Sequence, residues 1–242
     1  MKKEKEQKLQ FVFRVIKNKK GNKNMITWQD IVADDAVKTY IKKADESLIA
    51  LGYTEHSFTH VGKVANLAGR ILETLGYSER EVELAKIAGY LHDIGNVINR
   101  VEHAQSGALM AFRILDRLGM SPEEISTVIT AIGNHDESTA FPVNAVAAAL
   151  ILADKTDVRY TRVRNHDIAT FDIHDRVNYS VREADVFIEK DSHIELNLKI
   201  DTSICAVMDY FEIFMNRMIL CRKAAEKLGL SFHLVINGQR IL

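Results

Sequence analysis

The sequence predicts a mainly α protein: a helical bundle over residues 25–165, then a small α+β unit of ββαβ order over residues 166–242. Three observations predict it. Only 2 prolines and 12 glycines interrupt the 242 residues, so few breaks are forced and long helices are favoured. From Thr27 onward the apolar residues recur at helical spacing, with capping residues at the starts. Between Val186 and Ile200 the pattern changes to alternation, the period of a half-buried strand.

The elements follow in order. Thr27 with Asp30 forms a capping box ahead of a helical stretch. Ser57 caps a helix carrying Val61, Val64, Leu67, Ala68, Ile71 and Leu75, and Gly76 ends it. Ser78 with Glu81 opens the next, through Val82, Leu84, Ala85, Ala88 and Leu91. A helix runs from about His103 to Gly119. Ser121-Pro122-Glu123-Glu124 has a cap, a proline at the first helical position and a glutamate three residues after the cap. A further helix is expected from about Val143 to Val163, containing the apolar run Ala145 to Ala153.

The alternating residues Val186, Ile188, Ile194, Leu196, Leu198 and Ile200 make a hairpin turned at Lys190-Asp191-Ser192. A long helix from Ser203 to Leu228 follows, with Gly229 as its cap. Phe232 to Ile236 is the last strand, ahead of the turn Asn237-Gly238. The stripe Phe211, Phe214, Met215 and Met218 lies at helical spacing and reads as core, with a homodimer interface as the alternative.

Apolar residues at 47% and charged residues at 27% are those of an ordinary globular protein. A net charge of −1 supplies no global field for a nucleic acid. Residues 1–24 stand apart as a basic tail, with nine Lys or Arg against Glu4 and Glu6. The tail is a solvated segment or an arm for an acidic partner, or Met25 is the true start. Cys205 and Cys221, read into one helix about 24 Å apart, cannot pair, which suits a reducing compartment. No apolar run reaches the roughly 18 residues of a membrane span, and no signal peptide is recognisable, so a cytoplasmic protein is expected.

The residues that carry chemistry sit where polar groups are costly. His92-Asp93 interrupts Ile87-Ala88-Gly89-Tyr90-Leu91, and Asp154 ends the apolar run Ala145 to Ala153. A buried carboxylate must be paired or bound to a metal. His60, His103 and His135 occupy helix ends in similar settings. Four His and two Asp offer nitrogen and oxygen but no thiolate, which suits two divalent ions among Fe, Mn, Co, Ni and Zn. Neighbours on a helix point about 100° apart, so His92 and Asp93 fit best if Asp93 bridges two ions and His92 binds one.

The succession His60, His92-Asp93, His103, His135 and Asp154 resembles the HD superfamily of metal-dependent phosphohydrolases, over about residues 50–165. A bare pair is weak, since His135-Asp136, His166-Asp167 and His174-Asp175 also occur, but the ordered set is specific. The resemblance implies an HD-domain helical bundle with His60, His92, Asp93 and Asp154 around one ion. It places Asp93, His103 and His135 around the other. It implies cleavage of a phosphoester or phosphoanhydride of a phosphorylated small molecule, a nucleotide first, with a hydroxide bridging the metals at Asp93 as nucleophile. A mixed-valence di-iron oxygenase and a non-catalytic nucleotide-binding module are the alternatives. The lysine that follows the His-Asp pair in two subfamilies is replaced here by Asn96 after Gly95, and no GYP signature is present. The substrate therefore stays open.

Lys155, Arg159 and Arg162 follow Asp154 closely and are candidate phosphate contacts, or a solvated basic face. Asp157 would orient a ligand histidine or pair with an arginine. The ionisable segment from Asn165 to Arg176 is a rim over the pocket or a polar connector. His56, His193 and His233 read as ordinary surface or partly packed histidines.

Overall fold

The computed structural model describes residues 25–165 and 167–242, so the basic tail expected over 1–24 and the pair at His166 lie outside the described residues. The helices are α1 (Trp28–Ala33), α2 (Asp35–Ala50), α3 (Phe58–Leu75), α4 (Glu79–Leu91), α5 (His103–Leu118), α6 (Pro122–Gly133) and α7 (Ala145–Lys155). After them come α8 (Ile173–Ser180), the hairpin β1 (Val181–Glu189) and β2 (His193–Ile200), α9 (Val207–Lys227), β3 (Ser231–Ile236) and β4 (Gln239–Arg240).

The expected caps are in place. Thr27 and Ser78 make capping boxes with Asp30 and Glu81, Ser57 accepts from the Thr59 amide, and Gly76 ends α3 in the left-handed region. Asp34 divides the first helical stretch, because its carboxylate accepts from the Ala36 and Val37 amides and restarts the helix as α2. The helix expected over Val143–Val163 is shorter. The Asn144 side chain caps its start by accepting from the Ala147 amide at 2.7 Å. At its end the Thr156 hydroxyl donates to the Leu152 carbonyl at 2.6 Å, and the chain turns out so that Asp157 meets His60. The segment read as a polar connector contains α8, capped by the Asp172 side chain.

The sheet runs in the order β1-β2-β3-β4. The β1–β2 and β3–β4 pairs are antiparallel, and β2–β3 is parallel with α9 as its crossover. β4 was absent from the expected ββαβ order. Asn237 (φ 51°) and Gly238 (φ 80°) form the tight turn that brings its two residues back onto β3. Cys205 precedes α9 rather than lying within it, because the preceding turn at Asp201 and Ser203 delays the helix to Val207. Both cysteines are buried and free. In the α9 stripe Phe214 and Met218 are buried, while Met215 is exposed.

α7 is the central helix: every residue from Val146 to Ala153 is buried. α3, α4 and α6 surround it, and α9 packs on it from the C-terminal side. One apolar core therefore joins the helices to the sheet, from Ile31 through Leu150 and Phe214 to Leu234. Among the described residues no helix is long and apolar enough to cross a membrane.

Candidate metal centre

Six side chains converge beside the buried end of α7. His60 stands in the first turn of α3, His92 and Asp93 follow α4, His103 opens α5, His135 follows α6, and Asp154 lies in the last turn of α7. The four histidines are each 2% exposed or less and Asp93 is 5% exposed. Close backbone approach makes this meeting possible. A Cβ on Gly95 would lie 2.1 Å from the His103 carbonyl oxygen, so only glycine lets the turn after His92-Asp93 lie against α5.

The histidines share one orientation. His60 Nδ1 donates to Asp157 Oδ2 at 2.7 Å, and His92 Nδ1 to the Gly89 carbonyl at 2.8 Å. His103 Nδ1 donates to the Arg100 carbonyl at 3.0 Å, and His135 Nδ1 to the Ile132 carbonyl at 2.6 Å. Each neutral ring then carries its lone pair on Nε2, and all four Nε2 atoms face the centre.

The carboxylates divide these atoms into two sets. Asp93 Oδ2 lies 3.2 Å from His92 Nε2 and 3.5 Å from His60 Nε2, while Oδ1 lies 3.5 Å from His103 Nε2 and 4.0 Å from His135 Nε2. Asp154 Oδ1 lies 3.4 Å from His60 Nε2 and 3.7 Å from His92 Nε2. Asn96, which the sequence marked only as a departure, donates through Nδ2 to both the Asp93 carbonyl and Oδ1 at 2.9 Å.

The donor set fits metal ions. His60 Nε2 and His92 Nε2 are buried with no hydrogen-bond partner. His103 Nε2 and His135 Nε2 lie 3.2 Å apart, lone pair toward lone pair. Buried acceptors facing acceptors repel, and a cation between them removes the conflict. His60, His92 and Asp154 bring donor atoms within 4.8 Å of one another, and so do His92, Asp93 and His135.

The protonation tendencies agree. Burial opposes charge on His92, yet Asp93 and Asp154 beside it hold its pKa above the ordinary value. Burial, with His92 and Lys155 nearby, pushes His135 down to about 3. Burial disfavours the charge on Asp93 and Asp154, but His92 beside the first and Lys155 beside the second keep both well below the carboxylate range. The carboxylates thus make the centre attractive to positive charge, a proton on His92 or a metal cation, while burial keeps the His135 ring neutral.

The three candidate phosphate contacts part ways. Lys155 is buried, 2.7 Å from Asp154 Oδ2, and lines the centre. Arg162 also lines it, with its Nε and Nη1 donating to the Glu55 and Asp157 carbonyls. Arg159 instead lies in ion pairs with Glu55 at 2.6 Å and Asp157 at 3.0 Å, off the lining. Sequence reasoning missed Arg100 and Arg217, which complete the rim. It also placed His56 among ordinary histidines. The His56 ring sits 5.4 Å from that of His60 and lines the centre, and burial with Arg162 nearby pushes its pKa well down. An adjoining cavity of about 450 Å³ shares His56, Arg100, Arg162 and Arg217 with the centre.

Residues 57–159 match the HD domain family. The chain carries an HD domain. A protein of Methanocaldococcus jannaschii described as uncharacterized is 26% identical over 174 residues, covering 63% of this chain and 66% of that one. Ribonuclease Y of Thermosipho melanesiensis is 33% identical over 114 residues, covering 47% of this chain and 22% of that protein. The ribonuclease Y of Enterococcus faecalis is 31% identical, covering 47% of this chain and 21% of the relative. The chain therefore matches about a fifth of the length of the ribonucleases. A predicted HD superfamily hydrolase from an uncultured Thermotogales bacterium, known as a crystal structure, superposes with a TM-score of 0.41 at 23% identity over 51% of this chain and 67% of that one. All six convergent side chains fall inside the HD segment, whereas Tyr53, His56, Asp172, Phe214 and Arg217 of the adjoining cavity fall outside it.

Proposed function

We propose that this protein is a metal-dependent phosphohydrolase acting on a phosphorylated small molecule, a nucleotide first. One observation carries the reading: four buried imidazole Nε2 atoms face the carboxylates of Asp93 and Asp154, and two of the four, on His60 and His92, have no hydrogen-bond partner. His60, His92 and Asp154 would hold one divalent ion, and His103 and His135 the other, with Asp93 shared between its two oxygens. Two such ions, when bound, lower the pKa of water toward neutrality and offset charge on a phosphoryl group.

The chain's own residues orient and bind. Asp157 and Asn96 hold His60 and Asp93 in position. Arg100, Arg162 and Arg217 line both the centre and the adjoining cavity and offer guanidinium donors to phosphate oxygens. A volume of about 450 Å³ lies within the range of small-molecule sites. Tyr53 and Phe214 add aromatic wall, and Asp172, Asp175 and Asn178 add acceptors suited to sugar hydroxyls. The unit after the HD segment thereby supplies part of the substrate wall, through α8 and α9.

The test is metal content by mass spectrometry together with phosphate release. Wild type and Asp93→Ala would be compared on nucleoside phosphates and a short RNA, with Mn, Fe, Co or Ni added. About two ions per chain and hydrolysis lost in the variant support the proposal. Cleavage of the RNA alone would move the substrate to a polymer, in line with the relatives named ribonuclease Y. Bound iron with oxygen consumption and no phosphate release would replace the reading by an oxygenase.

A further inference from the structure

The outward face of the sheet carries a second group of metal-capable side chains, unconnected with the HD residues. In the parallel β2–β3 register Glu195 stands opposite His233, and His193 opposite Ser231. His193 and Glu195 are two residues apart on one strand, so both project from the same face as His233. The alternate residues Ile194, Leu196, Phe232 and Leu234 face the core and are buried. The three polar side chains are each half-buried rather than free in solvent.

Two features set them apart from histidines scattered on a strand. The His193 and His233 rings stack with centroids 4.1 Å apart and planes 24° apart. Two imidazolium ions at that separation would repel, so the stacked pair is stable with at least one ring neutral. Each ring also has one nitrogen beside a serine hydroxyl, His193 Nδ1 with Ser192 at 2.9 Å and His233 Nε2 with Ser231 at 3.2 Å. The second nitrogen on each ring has no hydrogen bond among the described residues and is left for a ligand.

We propose that His193, Glu195 and His233 bind a late first-row divalent cation, Zn²⁺, Ni²⁺ or Cu²⁺, at a site separate from the HD centre. Donor atoms from the three residues lie within 4.8 Å of one another, close enough to meet one ion. Two imidazoles and one carboxylate select these metals over Mg²⁺ or Ca²⁺, which take oxygen ligands. Glu189 stands across from His193 in the β1–β2 register, on the same face, and is placed to add a second carboxylate. Water fills the remaining positions. The ion would tie β2 to β3 at the end of the strands where the parallel pair begins.

The experiment counts ions on the full chain. Wild type, Glu195→Gln and the double variant His193→Ala/His233→Ala would each be dialysed against Zn²⁺ and measured by mass spectrometry. Each would then be titrated with Cu²⁺ under electron paramagnetic resonance. The expected result is one more ion per chain in wild type than in the double variant, and one nitrogen-coupled copper signal fewer in the double variant, which keeps only the signal of the HD histidines. Glu195→Gln keeps both imidazoles and should weaken that ion by about tenfold or more. Circular dichroism checks the fold, and if the double variant unfolds, Glu195→Gln decides alone. Equal ion counts and equal affinities in the folded proteins would overturn the site. Loss of phosphate release is not expected in any of the three, so the outcome is independent of the proposed hydrolase.

Discussion

His60 donates its Nδ1 proton to Asp157 Oδ2 over 2.7 Å, and this bond decides which nitrogen of His60 faces the centre. Asp157 is also held at 3.0 Å by Arg159, so the carboxylate is fixed from both sides. Asp157→Asn keeps the shape but loses the charge that holds the tautomer. The variant should bind Mn²⁺ or Co²⁺ about 10–100-fold more weakly, by isothermal titration calorimetry, with an unchanged circular dichroism spectrum.

Metal removal should lower stability as well as activity. Lone pairs that face one another across the centre are relieved when cations bind, so ions prefer the folded chain. An ion at a thousandfold excess over its dissociation constant adds about 4 kcal/mol. For a chain of this size that corresponds to a fall in Tm of about 8–16 °C on chelation. Differential scanning calorimetry with and without a chelator measures it. Asp93→Ala should show little of this shift.

At Gly89 the backbone of α4 packs directly on the backbone of α3. A Cβ there would lie 2.7 Å from Ala65 Cα and 2.8 Å from Ala65 N, both backbone atoms that cannot step aside. Gly89→Ala should cost about 1–3 kcal/mol in urea unfolding. Because the Gly89 carbonyl accepts from His92, metal affinity should fall with it.

Arg217 reaches the centre from α9, 2.6 Å from Glu137 and stacked over Phe214 at 4.4 Å. If it binds substrate phosphate, Arg217→Met removes a charge-assisted contact of about 1.5–3 kcal/mol. The kcat/KM for nucleotide hydrolysis should then fall by roughly 10–150-fold. Metal content should stay the same, which separates substrate binding from damage to the centre.

Glu124 links α6 to α4 through Arg80 at 2.6 Å, and the Arg80 hydrogen bond holds its pKa below the ordinary 4.5. A carboxyl depressed in the folded state stabilises above its unfolded pKa, and that contribution disappears as the pH falls through the folded value. Stability should therefore decline below about pH 4.5 more steeply in wild type than in Glu124→Gln. Urea midpoints taken from pH 6 to pH 3 test the difference in slope.

Much of this molecule was legible along the chain. Capping residues at Thr27, Ser57, Ser78 and Ser121 mark helix starts because they bond amides two or three residues away. His92, Asp93 and Asp154 stood out because polar residues inside apolar helical runs need partners. His56 did not, since it lies in the irregular segment between α2 and α3 with no periodicity around it. Arg159 and Arg162 looked alike in sequence, yet Glu55 holds the first away from the lining while the second lies in it.

By itself the sequence determined what depends on near neighbours: the helix caps at Thr27, Ser57, Ser78 and Ser121, the strand alternation, and the type and order of the six convergent side chains. Only the tertiary structure decided which nitrogen each histidine turns inward, that Asp93 faces a histidine pair with each oxygen, and that Arg100 and Arg217 join the rim. It also decided that His193 and His233, 40 positions apart, stack on one strand pair. The reason is one of range. Caps and periodicity act within one or two turns of the chain, whereas a metal centre is a set of distances between segments that meet only after the core has closed.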